Sequence, residues 1–453
     1  VTPLDYLAAH QERSLRELIE FARIPSVSAD PKHQIDIATA SEWVAARLRE
    51  AGPIKVRSIS TAGNPVVYGE WLGAPGAATL LIYGHYDVQP AEPLDKWLSE
   101  PFRPEVRAGR LYGRGVSDNK GPLLIPIKVA QAFFATRGAL PLNVKFLFEG
   151  EEEIGSRNLS PFIAANAQLL KADCVLSADG AMWRSDEPSI TIASRGIAAL
   201  EFSLRGANRN LHSGRYGGSI PNPLHALAEL IASLHTPDGR VAVEGFYDDL
   251  SALPEHERHE IAALPFDEGR FLAEVGVPAP VGEVGYTTLE RQWIRPTLEV
   301  NGMWGGYQGQ GSQTVTPNEA HAKISCRLVP DQSPDTIRAL VIRHLETHLP
   351  SGIGLSVSSV QHGALPYRIP ADHPGLKTAE RVLTEVYGTA PLRVRMGSTL
   401  PVSAVFKRTL GIETVFFSFS TADEDFHSPN EFFRVKRLHE GLRAWARYWE
   451  CYG

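Results

Sequence analysis

The chain has 453 residues, 43% of them hydrophobic and 21% charged, a globular composition that excludes a disordered or fibrous protein. At roughly 100–200 residues per domain, this length holds two to three domains or one domain with a large insertion. The formal net charge of −7, with no block of basic residues, removes nucleic acid and anionic membrane surfaces as expected partners.

Apolar residues from Leu4 through Leu7, Leu15 and Leu18 to Ala22 recur at helical spacing, and a second helical pattern runs from Ile37 through Trp43 and Val44 to Leu48. Short apolar runs then end in polar clusters. Residues 79–83 precede Gly84-His85-Tyr86-Asp87, and residues 143–148 precede Glu149-Gly150-Glu151-Glu152-Glu153. Residues 174–177 precede Ala178-Asp179, and 414–419 precede the segment from Asp423 to His427. These runs predict buried strands, and helical patterns at 123–136, 376–386 and 435–449 make them βαβ units. The expected class is α/β, with a mostly parallel central sheet flanked by helices, and such a sheet binds ligands at its strand C-terminal ends.

From about Ile190 to Leu365 the texture changes to strands at 198–204 and 322–328, helices at 224–234 and 336–349, and a Gly-rich loop at 302–311. Residues 254–280, rich in Pro and charge, read as a surface excursion. An α+β domain inserted at 193–365 between two catalytic portions, 1–192 and 366–453, is therefore expected. Cys174, Cys326 and Cys451 lie far apart, which argues against a disulfide framework or a structural zinc knot. No apolar run reaches the roughly 18–20 residues of a bilayer span, and a cytoplasmic location is expected.

Several motifs carry no chemistry. His344 and His348 are i, i+4, but the glutamate of His344-Leu-Glu-Thr-His348 is misplaced for a metalloprotease helix. Phosphate-cradling Gly loops and a nucleophile elbow do not occur.

What remains is a cluster: His85 and Asp87 after one strand, Glu151 to Glu153 after another, Asp179 after a third, Asp118 in a Gly-rich loop, and His427 late in the chain. One strand-end acid is ordinarily a cap or turn former, but several at one sheet edge would repel one another unless a cation neutralised them. Mixed histidine and carboxylate ligands suit zinc or manganese better than calcium. The set fits a two-metal hydrolase in which the ions acidify water and a further glutamate serves as base.

Gly84-His-Tyr-Asp-Val88, Gly113-Arg-Gly-Val-Ser-Asp-Asn-Lys-Gly121, Glu149-Gly-Glu-Glu-Glu-Ile-Gly-Ser156, Ser177-Ala-Asp179 and Phe426-His-Ser-Pro-Asn-Glu431 resemble motifs of the M20 family of dinuclear metallopeptidases, nearest its carnosinase-like cytosolic dipeptidase branch. The resemblance implies two divalent ions, zinc or manganese: His85 and Asp179 on one, Glu153 and His427 on the other, and Asp118 bridging both beside a cis Asp118-Asn119 bond. It further implies that Asp87 orients His85 and that Glu152 is the general base toward a metal-bridging hydroxide. The inserted segment becomes a lid and dimerisation domain, whose His212 reaches the partner subunit's site and stabilises the oxyanion. Thr314 and Arg327 would grip the substrate's C-terminal carboxylate, with His362, Ser398 and Thr399 as further substrate contacts. The implied activity is hydrolysis of dipeptides by a homodimer. An N-acyl amino acid amidohydrolase is the alternative, and a non-catalytic binding protein of the same fold a remoter one.

Overall fold

The strand Thr79–His85 is buried at every position after Thr79, as is Asn143–Glu149 after Asn143, which marks both as interior strands of a sheet covered on both faces. In this computed structural model, which describes residues 1–251, 253–358 and 362–453, the chain separates into two compact units. The first comprises Val1–Ile192, Ile369–Val394 and Val405–Gly453; the second comprises Ala193–Arg368 and Arg395–Ala404.

The first unit is built on six strands in the order Lys55–Ile59, Val66–Trp71, Asn143–Glu149, Thr79–His85, Cys174–Ser177 and Thr414–Phe416. The last four run parallel, and the first two are antiparallel additions at one edge. His85 pairs in register with Glu149 and Tyr83 with Ser177, so the polar residues following these strands emerge at one end of the sheet. The helix Gly121–Arg137 starts with Pro122 in its first turn and stops at Gly138, whose φ of 69° ends the helix in the left-handed region.

Two details differ from the sequence expectation. The first helical pattern breaks at His10 into Pro3–Ala9, opened by a Thr2–Asp5 capping box, and Gln11–Ala22. The strand expected over 414–419 pairs only as Thr414–Phe416. Beyond it the Ser420 hydroxyl donates to the Ser117 carbonyl at 2.8 Å, which diverts the chain from the sheet toward the loop carrying Asp118.

The second unit holds an antiparallel sheet in the order Thr297–Gly305, Glu319–Leu328, Gly196–Arg205 and Gly354–Val357, with His362–Ala364 also on Gly196–Arg205. Strict alternation along Gly196–Arg205 and Glu319–Leu328 buries one face. Leu200, Phe202, Ile324 and Leu328 pack there with Leu227 and Leu230 of the helix Pro223–Ser233 and Val341 of the helix Pro334–Thr347. The opposite face carries Ile197, Glu201, Lys323, Arg327 and Thr297, all at least partly exposed.

Glycines 302 and 305 belong to the strand Thr297–Gly305, which is bulged between Val300 and Gly302, and not to a free loop. Nor is 254–280 only a surface excursion: it forms the helices Glu255–Ala262 and Glu268–Val275. The carboxylate of its buried Glu257 joins Arg368 and Arg395.

Candidate metal and catalytic site

The C-terminal ends of the parallel strands converge on one carboxylate. Asp118 stands between two imidazoles, with its Oδ1 3.1 Å from His85 Nε2 and its Oδ2 3.0 Å from His427 Nε2. On one side Asp179 Oδ1 lies 3.9 Å from the same His85 nitrogen; on the other Glu153 Oε2 lies 3.2 Å from the same His427 nitrogen. Two triads result, His85–Asp118–Asp179 and Asp118–Glu153–His427, each with its ligand atoms within 4.8 Å of one another.

Each side chain is fixed from behind. His85 Nδ1 faces the Asp87 main-chain carbonyl at 3.1 Å and an Asp87 carboxylate oxygen at 3.4 Å, which leaves Nε2 for the centre. The buried Asp87 carboxylate accepts the main-chain N–H groups of Glu152 and Glu153 at 3.2 and 3.1 Å, so one residue sets both the histidine and the glutamate turn. Gln89 donates to Glu153 Oε2 at 2.9 Å, while Glu153 Oε1 is buried without a hydrogen-bond partner among the described residues. The Asp118-Asn119 peptide is cis.

Glu431 and Glu424, to which sequence reasoning gave no role, hold the Asp118 loop. The buried Glu431 carboxylate accepts from the main-chain N–H groups of Gly115, Ser117 and Asp118 at 2.8, 3.0 and 3.1 Å, and from Arg114 at 2.8 Å. Glu424 accepts from the Ser117 hydroxyl and the Thr421 and Arg434 main-chain N–H groups. These anchors sustain positive φ at Asp425, His427 and Asn430, a region non-glycine residues seldom occupy. The available signal was position, since Glu431 ends the motif that begins at Phe426.

Without a cation the cluster is electrostatically unsettled. Burial pushes Glu153 up to about 7 and Asp179 up to about 6, with the Asp118 charge adding to both. Glu152 is pushed well above the usual carboxylate range by burial, with His85 opposing and Asp179, Glu153 and Asp118 adding to the rise. Hydrogen bonds to Asp118 and Glu153 raise His427 to about 10. A donor set of two imidazoles and three carboxylates, one oxygen of it buried and unpartnered, fits divalent cations.

The remaining expected site residues lie in the second unit. The pairs Leu211–Thr316 and His212–Val315 set His212 beside Thr314, whose carbonyl accepts from Ser213 N at 2.9 Å. His212 is exposed, and its Nδ1 accepts the Gly214 main-chain N–H at 3.0 Å, so in the neutral ring Nε2 carries the proton. Arg327 donates to Thr399 Oγ1 at 3.0 Å, and Ser398 is exposed next to it. The His362 side chain falls outside what is described. His344 makes a structural contact, with its Nε2 3.0 Å from Ser233 Oγ.

A family model for Peptidase family M20/M25/M40 matches residues 81–450. The chain is 29% identical over 440 residues to the Cys-Gly metallodipeptidase dug1 of Schizosaccharomyces pombe, a match spanning 94% of this chain and 92% of that one. It is 29% identical over 460 residues to the Beta-Ala-His dipeptidase of Homo sapiens, spanning 98% and 90%. Among solved structures, an M20 family metallo-carboxypeptidase of Sulfolobus solfataricus, Sso-CP2, is 32% identical with a TM-score of 0.84 and coverage of 97% and 99%. With its paired triads at the ends of a parallel sheet, this chain belongs to Peptidase family M20/M25/M40.

Proposed function

We propose that the protein is a metal-dependent dipeptidase that hydrolyses the peptide bond of dipeptides with a free C-terminal carboxylate. The observation that carries the reading is Asp118 shared between the His85–Asp179 and Glu153–His427 pairs, with Glu152 beside them. It is supported by the relatives, which are named as dipeptidases along nearly their whole length.

His85 and Asp179 would hold one divalent ion, Glu153 and His427 the other, and Asp118 both; zinc and manganese each suit this set. When bound, such ions supply Lewis-acid polarisation of a carbonyl and acidify water. Glu152 takes a proton from the attacking water and returns it to the leaving amine, a task suited to a carboxylate whose proton affinity is raised by burial. Asp87 keeps Glu152 in place through its main-chain N–H. Arg327 and Thr314 grip the substrate's C-terminal carboxylate, and Ser398 and Thr399 are further substrate contacts. His212 offers Nε2–H to the developing oxyanion of the partner subunit's site in a homodimer, and residues 193–365 serve as the lid and dimerisation domain. Three free cysteines, two of them buried, suit a cytoplasmic location.

The test compares an unblocked dipeptide with its C-terminal amide on metal-reconstituted protein. Cleavage of the free acid, with kcat/KM for the amide lower by at least about tenfold, supports the reading; equal cleavage overturns the role of the carboxylate.

A further inference from the structure

Arg195 immediately precedes the strand Gly196–Arg205, which pairs with the strand Glu319–Leu328 that carries Arg327. Arg327 pairs in register with Ile197, two residues after Arg195, so the two arginines sit close together at the end of this strand pair. Both line one recess with Arg291, Arg295 and Thr297. Like charges at such positions disfavour each other unless an anion lies between them.

Their partners are unusual for arginines. Arg295 is neutralised by Glu283 through two bonds of 2.7 Å. Arg195 instead donates Nε to the Gly397 carbonyl at 2.9 Å and Nη1 to the Arg291 and Arg295 carbonyls at 3.4 Å, while its Nη2 donates to none of the described residues. Arg327 makes one bond, to Thr399 Oγ1. Neither has a carboxylate within ion-pair distance among the described residues; the exposed Glu299, two residues along from Thr297, influences Arg195 only through space. Burial and then the Arg327 charge push Arg195 down to about 10, with Glu299 opposing.

One α-carboxylate satisfies the Arg327 guanidinium, and the two N–H groups of Arg195 Nη2 then remain to donate to another anion. We infer that Arg195 and Arg327 together form a dianion subsite, and that the preferred substrates are dipeptides whose C-terminal residue is acidic, aspartate or glutamate. The inference rests on the dipeptidase reading and on Arg327 holding the carboxylate end. Arg195 also fixes the turn bearing Ser398 and Thr399, since its main-chain N–H donates to the Met396 and Ser398 carbonyls at 3.1 and 3.2 Å.

The experiment measures kcat/KM for Ala-Glu and its neutral isostere Ala-Gln on metal-reconstituted protein, together with calorimetric binding of free L-glutamate and L-glutamine. The expected result is a preference for Ala-Glu of at least about tenfold, which falls to about one in Arg195→Gln. Thr297→Glu, which sets a carboxylate opposite Arg327 and leaves the Arg195 hydrogen bonds intact, should erase the same preference and guards against misfolding of the first variant. A ratio near one in the unaltered protein, or a preference surviving both substitutions, overturns the subsite. If neither dipeptide is cleaved, tighter binding of glutamate than glutamine that is lost in both variants upholds the subsite and rejects the dipeptidase reading. Equal binding of the two amino acids without cleavage rejects both.

Discussion

The Glu431 carboxylate accepts the main-chain N–H of Asp118 at 3.1 Å, so the shared carboxylate of the centre hangs from a residue four positions after His427. One glutamate thus ties together the two loops that flank the second triad. Its further bonds to Gly115, Ser117 and Arg114 anchor the rest of the Asp118 loop to the same carboxylate.

Glu431→Gln keeps the size of the side chain but replaces one of its two acceptor oxygens by a donor that faces main-chain N–H groups. Loss of such supporting contacts to a ligand costs about 10–100-fold in metal affinity. Equilibrium dialysis against zinc or manganese should show that loss, while Gln89→Ala, which removes one bond to Glu153, should weaken binding less.

Glu152→Ala removes the proton carrier and leaves the five ligands. Turnover should fall by at least about 10²–10⁴-fold with the metal content unchanged. Metal analysis of the purified variant is the check, because lost metal would mean that Glu152 is a ligand.

His212→Ala should lower kcat by roughly 10² with a smaller change in KM, as expected for a donor engaged only as the oxyanion forms. Action across subunits has a sharper signature. Mixing the His212→Ala and Glu152→Ala proteins under subunit exchange should recover activity that neither has alone, since one site of the mixed dimer is then complete. No recovery despite exchange would place His212 in its own chain's site or outside the mechanism.

Much of the first unit was legible because its strands are apolar runs that end abruptly in acids and histidines, and parallel strands put those ends together. His85, Asp179 and Glu153 each follow such a run. The supports were hidden for a physical reason. Glu431 accepts main-chain N–H groups, and Glu424 the Ser117 hydroxyl, some three hundred residues away in sequence, and an acceptor of backbone hydrogen bonds leaves no trace in the side-chain types it serves. Glu257 was hidden likewise: in a charge-rich stretch it reads as solvated, yet it is buried between Arg368 and Arg395.

Metal affinity should depend on pH with a definite sign. A bound ion must displace the proton that Asp118 and Glu153 hold on His427, raised to about 10, and below about pH 7 also the proton that burial favours on Glu153. His85 is raised as well: burial opposes its charge, but Asp118 and Asp87 outweigh it. Protons leave as metal enters, so apparent affinity rises with pH by up to about tenfold per unit between pH 7 and 8 for each proton displaced. Competition against a chelator across this range measures the slope, and a flat profile would show that the histidines are neutral in the metal-free protein.

The central claim is tested most directly by stripping the protein with a chelator, reconstituting it with zinc or manganese, and following amino-acid release from an unblocked dipeptide and from an N-acetyl amino acid. Release from the dipeptide, restored only by metal, is the predicted result. Release from the N-acetyl compound alone would make the protein an acyl amino acid hydrolase, and silence on both would contradict catalysis at the Asp118 centre.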